Sequence, residues 1–279
     1  MTEFAEVPGG KLSYELTGEG PLVVLSPGIG DRRQVYRFLA PRLAQAGYLV
    51  ASVDLRGHGD STLGWPSITR TDVAGDLIAV IRHVGGPAVI VGHSLSGGAA
   101  TIAAAKAPEL VSGIVELNPL TRTQSLKAGA LLSNPRYRRC VTLLLSTQMT
   151  RSLGVWMRYL SLAYPTKPAD WDSYISAMRA KLTEPGRMAE FMKTFKSTPA
   201  DAAEQLPNVQ CPALIIMGIA DPDFADPKAE GDAIAAAMSA GLATVATIDG
   251  AGHYPQAQCP AEVAALIVAF LKDNARAHS

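Results

Sequence analysis

The chain has 279 residues, 48% of them hydrophobic, and its 25 Lys+Arg balance its 25 Asp+Glu. That size and balance fit one large α/β domain with an insertion, and zero formal net charge leaves no global field to attract nucleic acid or an anionic membrane. No apolar run reaches the length of a membrane span, and residues 1–6 show neither a basic nor an apolar leader. The three scattered cysteines, Cys140, Cys211 and Cys259, fit reduced thiols of a cytoplasmic protein better than a disulfide framework.

Taken in chain order, residues 11–16 alternate as an antiparallel edge strand would. Short apolar runs at 22–25, 48–53, 88–91 and 114–117 predict four central strands, and 213–217 and 244–248 predict two more. Helical stretches fall between them at 33–46, 72–83, 95–107 and 227–239. The last helix carries Val263, Leu266, Ile267, Phe270 and Leu271 as one apolar stripe. Continuous apolar strands alternating with helices predict an α/β fold with a mostly parallel sheet covered on both faces.

The alternation breaks between residues 121 and 206, which hold no strand-like run but helical ones at 137–150, 153–164, 170–182 and 187–196. The predicted organisation is a core of residues 1–120 and 207–279 with a helical cap, 121–206, inserted over the carboxyl ends of the strands, where ligands of open α/β sheets bind. This segment holds five of the eight methionines and two of the three tryptophans. Met149, Trp156, Met157 and Met192 are candidates for an apolar substrate wall. Residues of this kind equally suit a small core of the cap itself, and the sequence leaves both readings open.

The most informative segment is Val91-Gly92-His93-Ser94-Leu95-Ser96-Gly97-Gly98, between the strand at 88–91 and the helix at 95–107. A serine at a tight strand-to-helix turn is held in strained backbone geometry with its hydroxyl clear of the sheet. The flanking glycines are needed because a Cβ there would strike the neighbouring elements. The pattern is G-x-S-x-G, with Ser96 in place of the second glycine and Gly97-Gly98 directly behind it. Serine is the next smallest option.

A serine hydroxyl needs a base and a group to orient that base. His253, in Asp249-Gly250-Ala251-Gly252-His253, follows the last strand, and its glycines suggest a loop free to aim the imidazole. Asp221, in Gly218-Ile219-Ala220-Asp221-Pro222, follows the preceding strand and is the favoured acid on position. Asp223 and Asp226 compete with it. Of the other histidines, His58 lies in a glycine-flanked turn, His93 is expected to point away from Ser94, and His83 and His278 read as surface residues. The oxyanion of a tetrahedral intermediate calls for two backbone donors, assigned to the N–H groups of Leu95 and of Ile29 in Ser26-Pro27-Gly28-Ile29-Gly30. Losing one such donor typically costs about 2.7–4 kcal/mol of transition-state stabilisation.

Five segments in order carry a resemblance over essentially the whole chain. They are Ser26-Pro27-Gly28, Asp54-Leu55-Arg56-Gly57-His58-Gly59-Asp60-Ser61, Gly92 to Gly98, Gly218-Ile219-Ala220-Asp221 and Gly250-Ala251-Gly252-His253. The chain resembles the α/β-hydrolase fold. That resemblance implies Ser94 as nucleophile, Asp221 as acid and His253 as base, and an architectural role for the Asp54–Ser61 turn. Two departures, Ser26-Pro27 where many members carry His and Ser96 for Gly, bear on substrate preference. Among capped, cofactor-free members the chain looks most like small esterases and serine lactonases, including those that open acyl-homoserine lactones.

The expected activity is therefore hydrolysis of a small-molecule carboxylic ester or lactone with an apolar acyl part, with no cofactor and no metal, by a monomer or homodimer. Dispersed histidines without an H-x-H-x-D-H cluster argue against a metal-dependent lactonase. A serine rather than an aspartate at the elbow argues against an epoxide hydrolase or dehalogenase. Carbon–carbon bond hydrolases, perhydrolases and slow-turnover receptors share the triad and stay open. A dinucleotide-binding oxidoreductase is disfavoured, because Arg33 stands where the third glycine of G-x-G-x-x-G belongs.

Overall fold

The computed structural model describes residues 1–277, with side chains through Asn274; His278 lies outside the described residues. The strands are β1 (Glu3–Val7), β2 (Gly10–Thr17), β3 (Leu22–Ser26), β4 (Leu49–Val53), β5 (Ala88–His93), β6 (Val111–Leu117), β7 (Ala213–Gly218) and β8 (Ala243–Ile248). They form one eight-stranded sheet in the order β1-β2-β4-β3-β5-β6-β7-β8. β1 and β2 are antiparallel to their neighbours, and every pairing from β4 to β8 is parallel. The stretch expected at the edge is thus the second strand. The true edge, β1, gave little signal because its inward residues are only Ala5 and Val7.

The helices are α1 (Ala40–Gln45), α2 (Arg70–Val84), α3 (Leu95–Lys106), α4 (Ala128–Ser133), α5 (Pro135–Thr150) and α6 (Leu153–Ala163). They continue with α7 (Trp171–Thr183), α8 (Arg187–Thr194), α9 (Ala200–Ala203), α10 (Pro227–Ala237), α11 (Pro255–Gln258) and α12 (Pro260–Ala277). Between β6 and β7 the described elements are all helical. The single helix expected over 33–46 is instead a 3-10 turn, Arg33–Tyr36, followed by α1. Pro41, in the first turn of α1, has no N–H to donate to Arg37 O, so one regular helix cannot run through.

Alternate residues of each central strand enter different cores. Val24, Ala51 and Ile90 pack with Leu77, Ile102 and Ile234 of α2, α3 and α10. Val23, Val50 and Val91 pack on the other face with Leu43, Val263 and Ile267 of α1 and α12, and this core continues into α6 through Trp156 and Leu160. Burial on both faces is why these strands read as unbroken apolar runs. No helix among the described residues is long and apolar enough to cross a membrane.

The Asp54–Ser61 turn is organised around one buried ion pair. Asp54 accepts from the Arg33 guanidinium and from the Arg33 N–H at 2.6 Å, the Ser13 hydroxyl at 2.7 Å and the Asp60 N–H at 3.1 Å. Gly59 has φ +51°, and a Cβ on it would lie 2.0 Å from Asp54 Oδ2. Removing Asp54 leaves Arg33 its half-exposed partners Glu15 and Asp60, but it leaves buried donors of Arg33 and Ser13 without their acceptor, at about 1–3 kcal/mol. Asp54→Ala is therefore expected to lose that much stability, measured as a lower urea midpoint with an unchanged slope.

Candidate active site

Ser94 stands between β5 and α3 with φ 55° and ψ −116°, a conformation that few non-glycine residues adopt. Its surroundings leave no room for side chains. A Cβ on Gly92 would lie 2.2 Å from Ser96 O, one on Gly97 2.5 Å from Pro119 Cβ, and one on Gly28 2.9 Å from Ser94 Cβ. Ser96 makes use of its extra atoms: its hydroxyl donates to Pro27 O at 2.6 Å and lies 2.9 Å from Ser26 Oγ. The serine in place of glycine thus ties the elbow to the loop that carries Ile29. Leu95 is the first residue of α3, where backbone N–H groups lack intrahelical acceptors, and Leu95 and Ile29 both border the cavity beside Ser94.

His253 and Asp221 are joined. His253 Nδ1 lies 2.7 Å from Asp221 Oδ2, and both side chains are buried. Asp221 also accepts from the Asp223 N–H at 2.9 Å and from the Asn118 side-chain amide. Asn118, at φ 42° just past β6, accepts in turn from the Gly218 N–H at 2.9 Å. The sequence reading missed Asn118; its place at the carboxyl end of a central strand was the available signal.

Asp223 also belongs to the site. Its Oδ2 lies 3.8 Å from His253 Nε2, and its carboxylate accepts from Tyr159 OH at 2.9 and 3.0 Å and from Cys140 Sγ at 3.2 Å. The imidazole therefore stands between two carboxylates, one on each ring nitrogen. Among the described residues no hydrogen bond joins Ser94 to His253, and such contacts commonly tighten only when substrate binds. Asp221, Asp223 and His253 offer ligand atoms within 4.8 Å of one another, a spacing that suits a metal ion. Asp221 Oδ2 and His253 Nδ1 are already spent on each other, so a cation there would have to part them.

His93 does not point away, as the sequence suggested. It borders the same cavity, its Nε2 meets His253 O at 2.7 Å, and the two rings lie 4.8 Å apart. The glycines before His253 do not simply free its loop either. A Cβ on Gly252 would lie 2.2 Å from Ala163 O at the end of α6, and the His253 N–H donates to that same oxygen at 2.9 Å.

The cavity at Ser94 measures about 230 Å³, below the about 300–1,000 Å³ of common ligand pockets. Its walls are mostly apolar, from residues such as Leu120, Leu144, Leu145 and Phe195. Of the four expected wall residues, Trp156 lines it. Met157 instead packs into the core, Met149 lies at 83% exposure near the end of α5, and Met192 borders a separate groove with Met188. Helical phase turns these methionines away, and that phase is set by cap packing that the sequence does not display.

A parallel sheet with a strained serine after one strand and a joined Asp–His pair after two others defines an α/β hydrolase. Residues 23–266 match the Alpha/beta hydrolase family, and the chain belongs to it. It is 28% identical over 215 residues to the 2-(acetamidomethylene)succinate hydrolase of Mesorhizobium japonicum, an alignment covering 74% of this chain and 73% of that one. In structure it is similar to an esterase from Exiguobacterium antarcticum, with TM-score 0.78, 18% identity and coverage of 98% and 100%. It is also similar to the enol-lactonase from Burkholderia xenovorans, with TM-score 0.77, 21% identity and coverage of 97% and 100%.

The imidazole can take a proton only when neutral. Burial disfavours its charged form, but Asp221 and then Asp223 outweigh burial and push the His253 pKa up to about 9. Activity that needs neutral His253 should therefore fall as pH drops through about 9. At the 3.8 Å separation of Asp223 from Nε2, Coulomb's law with an effective dielectric of about 20–80 gives about 1–4 kcal/mol, or about 1–3 pH units. Asp223→Asn should shift the acid limb of kcat/KM down by that amount and raise activity at pH 7. An unmoved limb in the pH–rate profile would remove Asp223 from the electrostatics of the site.

Proposed function

We propose that the chain is a serine hydrolase that cleaves a small carboxylic ester or lactone with an apolar acyl part. The observation that carries this reading is that His253, held by the buried Asp221 at 2.7 Å, lines the same cavity as Ser94. Ser94 Oγ attacks the carbonyl carbon while His253 Nε2 takes the hydroxyl proton. Asp221 orients the ring and balances its charge. The oxyanion is met by the N–H groups of Leu95 and Ile29, the former at the helix N-terminus, where partial positive charge favours it. Collapse expels the alcohol, which leaves with the proton from Nε2, and an acyl-enzyme remains on Ser94. Water, deprotonated by the same nitrogen, then releases the acid and restores the serine.

The small apolar cavity supports a short acyl chain over a long one. The relative named for hydrolysing 2-(acetamidomethylene)succinate, and the esterase and enol-lactonase of like fold, support hydrolysis as the reaction class. The same reading has the protein acting in the cytoplasm on a freely diffusing substrate.

The test is a pH-stat assay of base consumption over methyl esters and lactones from acetyl to dodecanoyl, with acyl-homoserine lactones included. Wild type should release acid, fastest from the short chains. Ser94→Ala and His253→Ala should each lose roughly 10⁴-fold or more while melting like wild type. Acid release that survives Ser94→Ala in a folded protein overturns the mechanism. Absence of release from every substrate overturns the reaction class and turns attention to carbon–carbon cleavage, perhydrolysis or ligand reception.

A further inference from the structure

Three arginines are buried among the described residues, and two of them have carboxylate partners. Arg33 pairs with Asp54, Glu15 and Asp60, and Arg56 pairs with Asp76 at 2.7 Å. Arg70, only 3% exposed, has no carboxylate within ion-pair distance among the described residues. Its Nε donates to Leu120 O at 2.9 Å and its Nη1 to Ser197 Oγ at 2.9 Å, both neutral acceptors. A buried guanidinium is normally matched by an anion, because its charge is costly to remove from water without one.

Arg70 lies where a ligand would supply that anion, since it borders the same cavity as Ser94 and His253. Leu120 links the two, accepting from Arg70 at its carbonyl while its N–H donates to Ser94 O at 3.1 Å. The sequence builds this placement twice over. A capping box of Thr69 with Asp72 starts α2 at Arg70. Gly98 on α3 leaves space for the side chain, since a Cβ there would lie 2.8 Å from Arg70 Cδ. Asp223, the carboxylate on the cavity wall, is instead held beside His253 by Tyr159 and Cys140. Burial pushes the Arg70 pKa down, to about 10, so it remains a cation at neutral pH.

We propose that Arg70 binds a carboxylate on the substrate, so that the ester or lactone cleaved at Ser94 carries an anionic group a short apolar spacer from the scissile carbonyl. The inference rests on the ester-hydrolase reading above. A planar guanidinium with unused N–H donors suits a carboxylate in two-point contact. The Asp223 side of the cavity repels the same group, which orients the substrate.

The test compares kcat/KM by pH-stat for charged and neutral esters of matched length. Monomethyl glutarate against methyl pentanoate places the carboxylate on the acyl side, and 3-acetoxypropionate against propyl acetate places it on the alcohol side. The charged member of at least one pair should be preferred by about tenfold or more, as expected for hydrogen bonds to a charged group. The preferred pair tells which side carries the charge. That preference should collapse about tenfold or more in Arg70→Gln and survive in part in Arg70→Lys. Calorimetry with glutarate on Ser94→Ala should detect binding that is lost in Ser94→Ala/Arg70→Gln. Equal or better turnover of both neutral esters, or a preference untouched by Arg70→Gln, overturns the proposal. If Arg70→Gln does not fold, the wild-type preference and glutarate binding to Ser94→Ala decide. If no ester is hydrolysed at all, the reaction class fails, while the glutarate measurement still judges Arg70.

Discussion

The backbone at Ser94 is the constraint on which the rest of the site depends. A side chain at φ 55° and ψ −116° costs about 1–3 kcal/mol and persists only when its surroundings over-determine it. Here they do. The Ser94 N–H is taken by Leu117 O at 3.0 Å, and the Ser94 carbonyl accepts from Gly97 and Leu120. Close packing of β5 against α3 then forbids a Cβ at Gly92, and Pro119, just past β6, forbids one at Gly97. The same contacts that hold the strain lift the hydroxyl into the cavity, so the motif's glycines and its chemistry have one physical cause.

Charge is handled by a second rule, that buried ionisable groups are paired or change their protonation. His93 and His253 show both outcomes with rings 4.8 Å apart. His93 is buried against a carbonyl oxygen and a neighbouring imidazole, and its pKa falls well below the ordinary value. His253 is equally buried but faces two carboxylates, and its pKa rises. Two like rings are driven apart in this way by their neighbours alone, an imidazole against one and two carboxylates against the other. Asp223 reflects the same balance: burial raises its pKa, and the adjacent imidazole pulls it back.

The architecture was legible because the central strands are buried on both faces and so announce themselves as apolar runs, and because the elbow needs glycines at fixed offsets. The positions of Ser94, Asp221 and His253 after three strands followed from that alternation. What stayed hidden lies in side-chain geometry across the sheet. Asn118 reaches the site by loop conformation, Asp223 stood only as a rival to Asp221 and not as a second carboxylate on the same ring, and Arg70 arrives by the start of a helix whose cap is local but whose target is remote. Met149 and Met157 misled because composition reports how apolar a helix is, not which way its faces turn. The edge strand β1 was missed for the opposite reason, its inward residues being too small and too few to leave a pattern.

The inserted helices are bonded to the residues around the Ser94 cavity. Ala163 at the end of α6 holds the His253 backbone, Tyr159 and Cys140 hold Asp223, and Tyr174 donates to the buried Asp31 on the loop that carries Ile29. Arg37 clamps Asp170 with two bonds of 2.5 and 2.6 Å, fixing the start of α7 to the core. The imidazole, its second carboxylate and the Ile29 loop are therefore each tied to the insertion. Bonds of this kind transmit position, so a shift of α6 would displace the His253 backbone and the Asp223 carboxylate together. That coupling lets the segment between β6 and β7 set the place of the His253 imidazole as well as the size of the cavity.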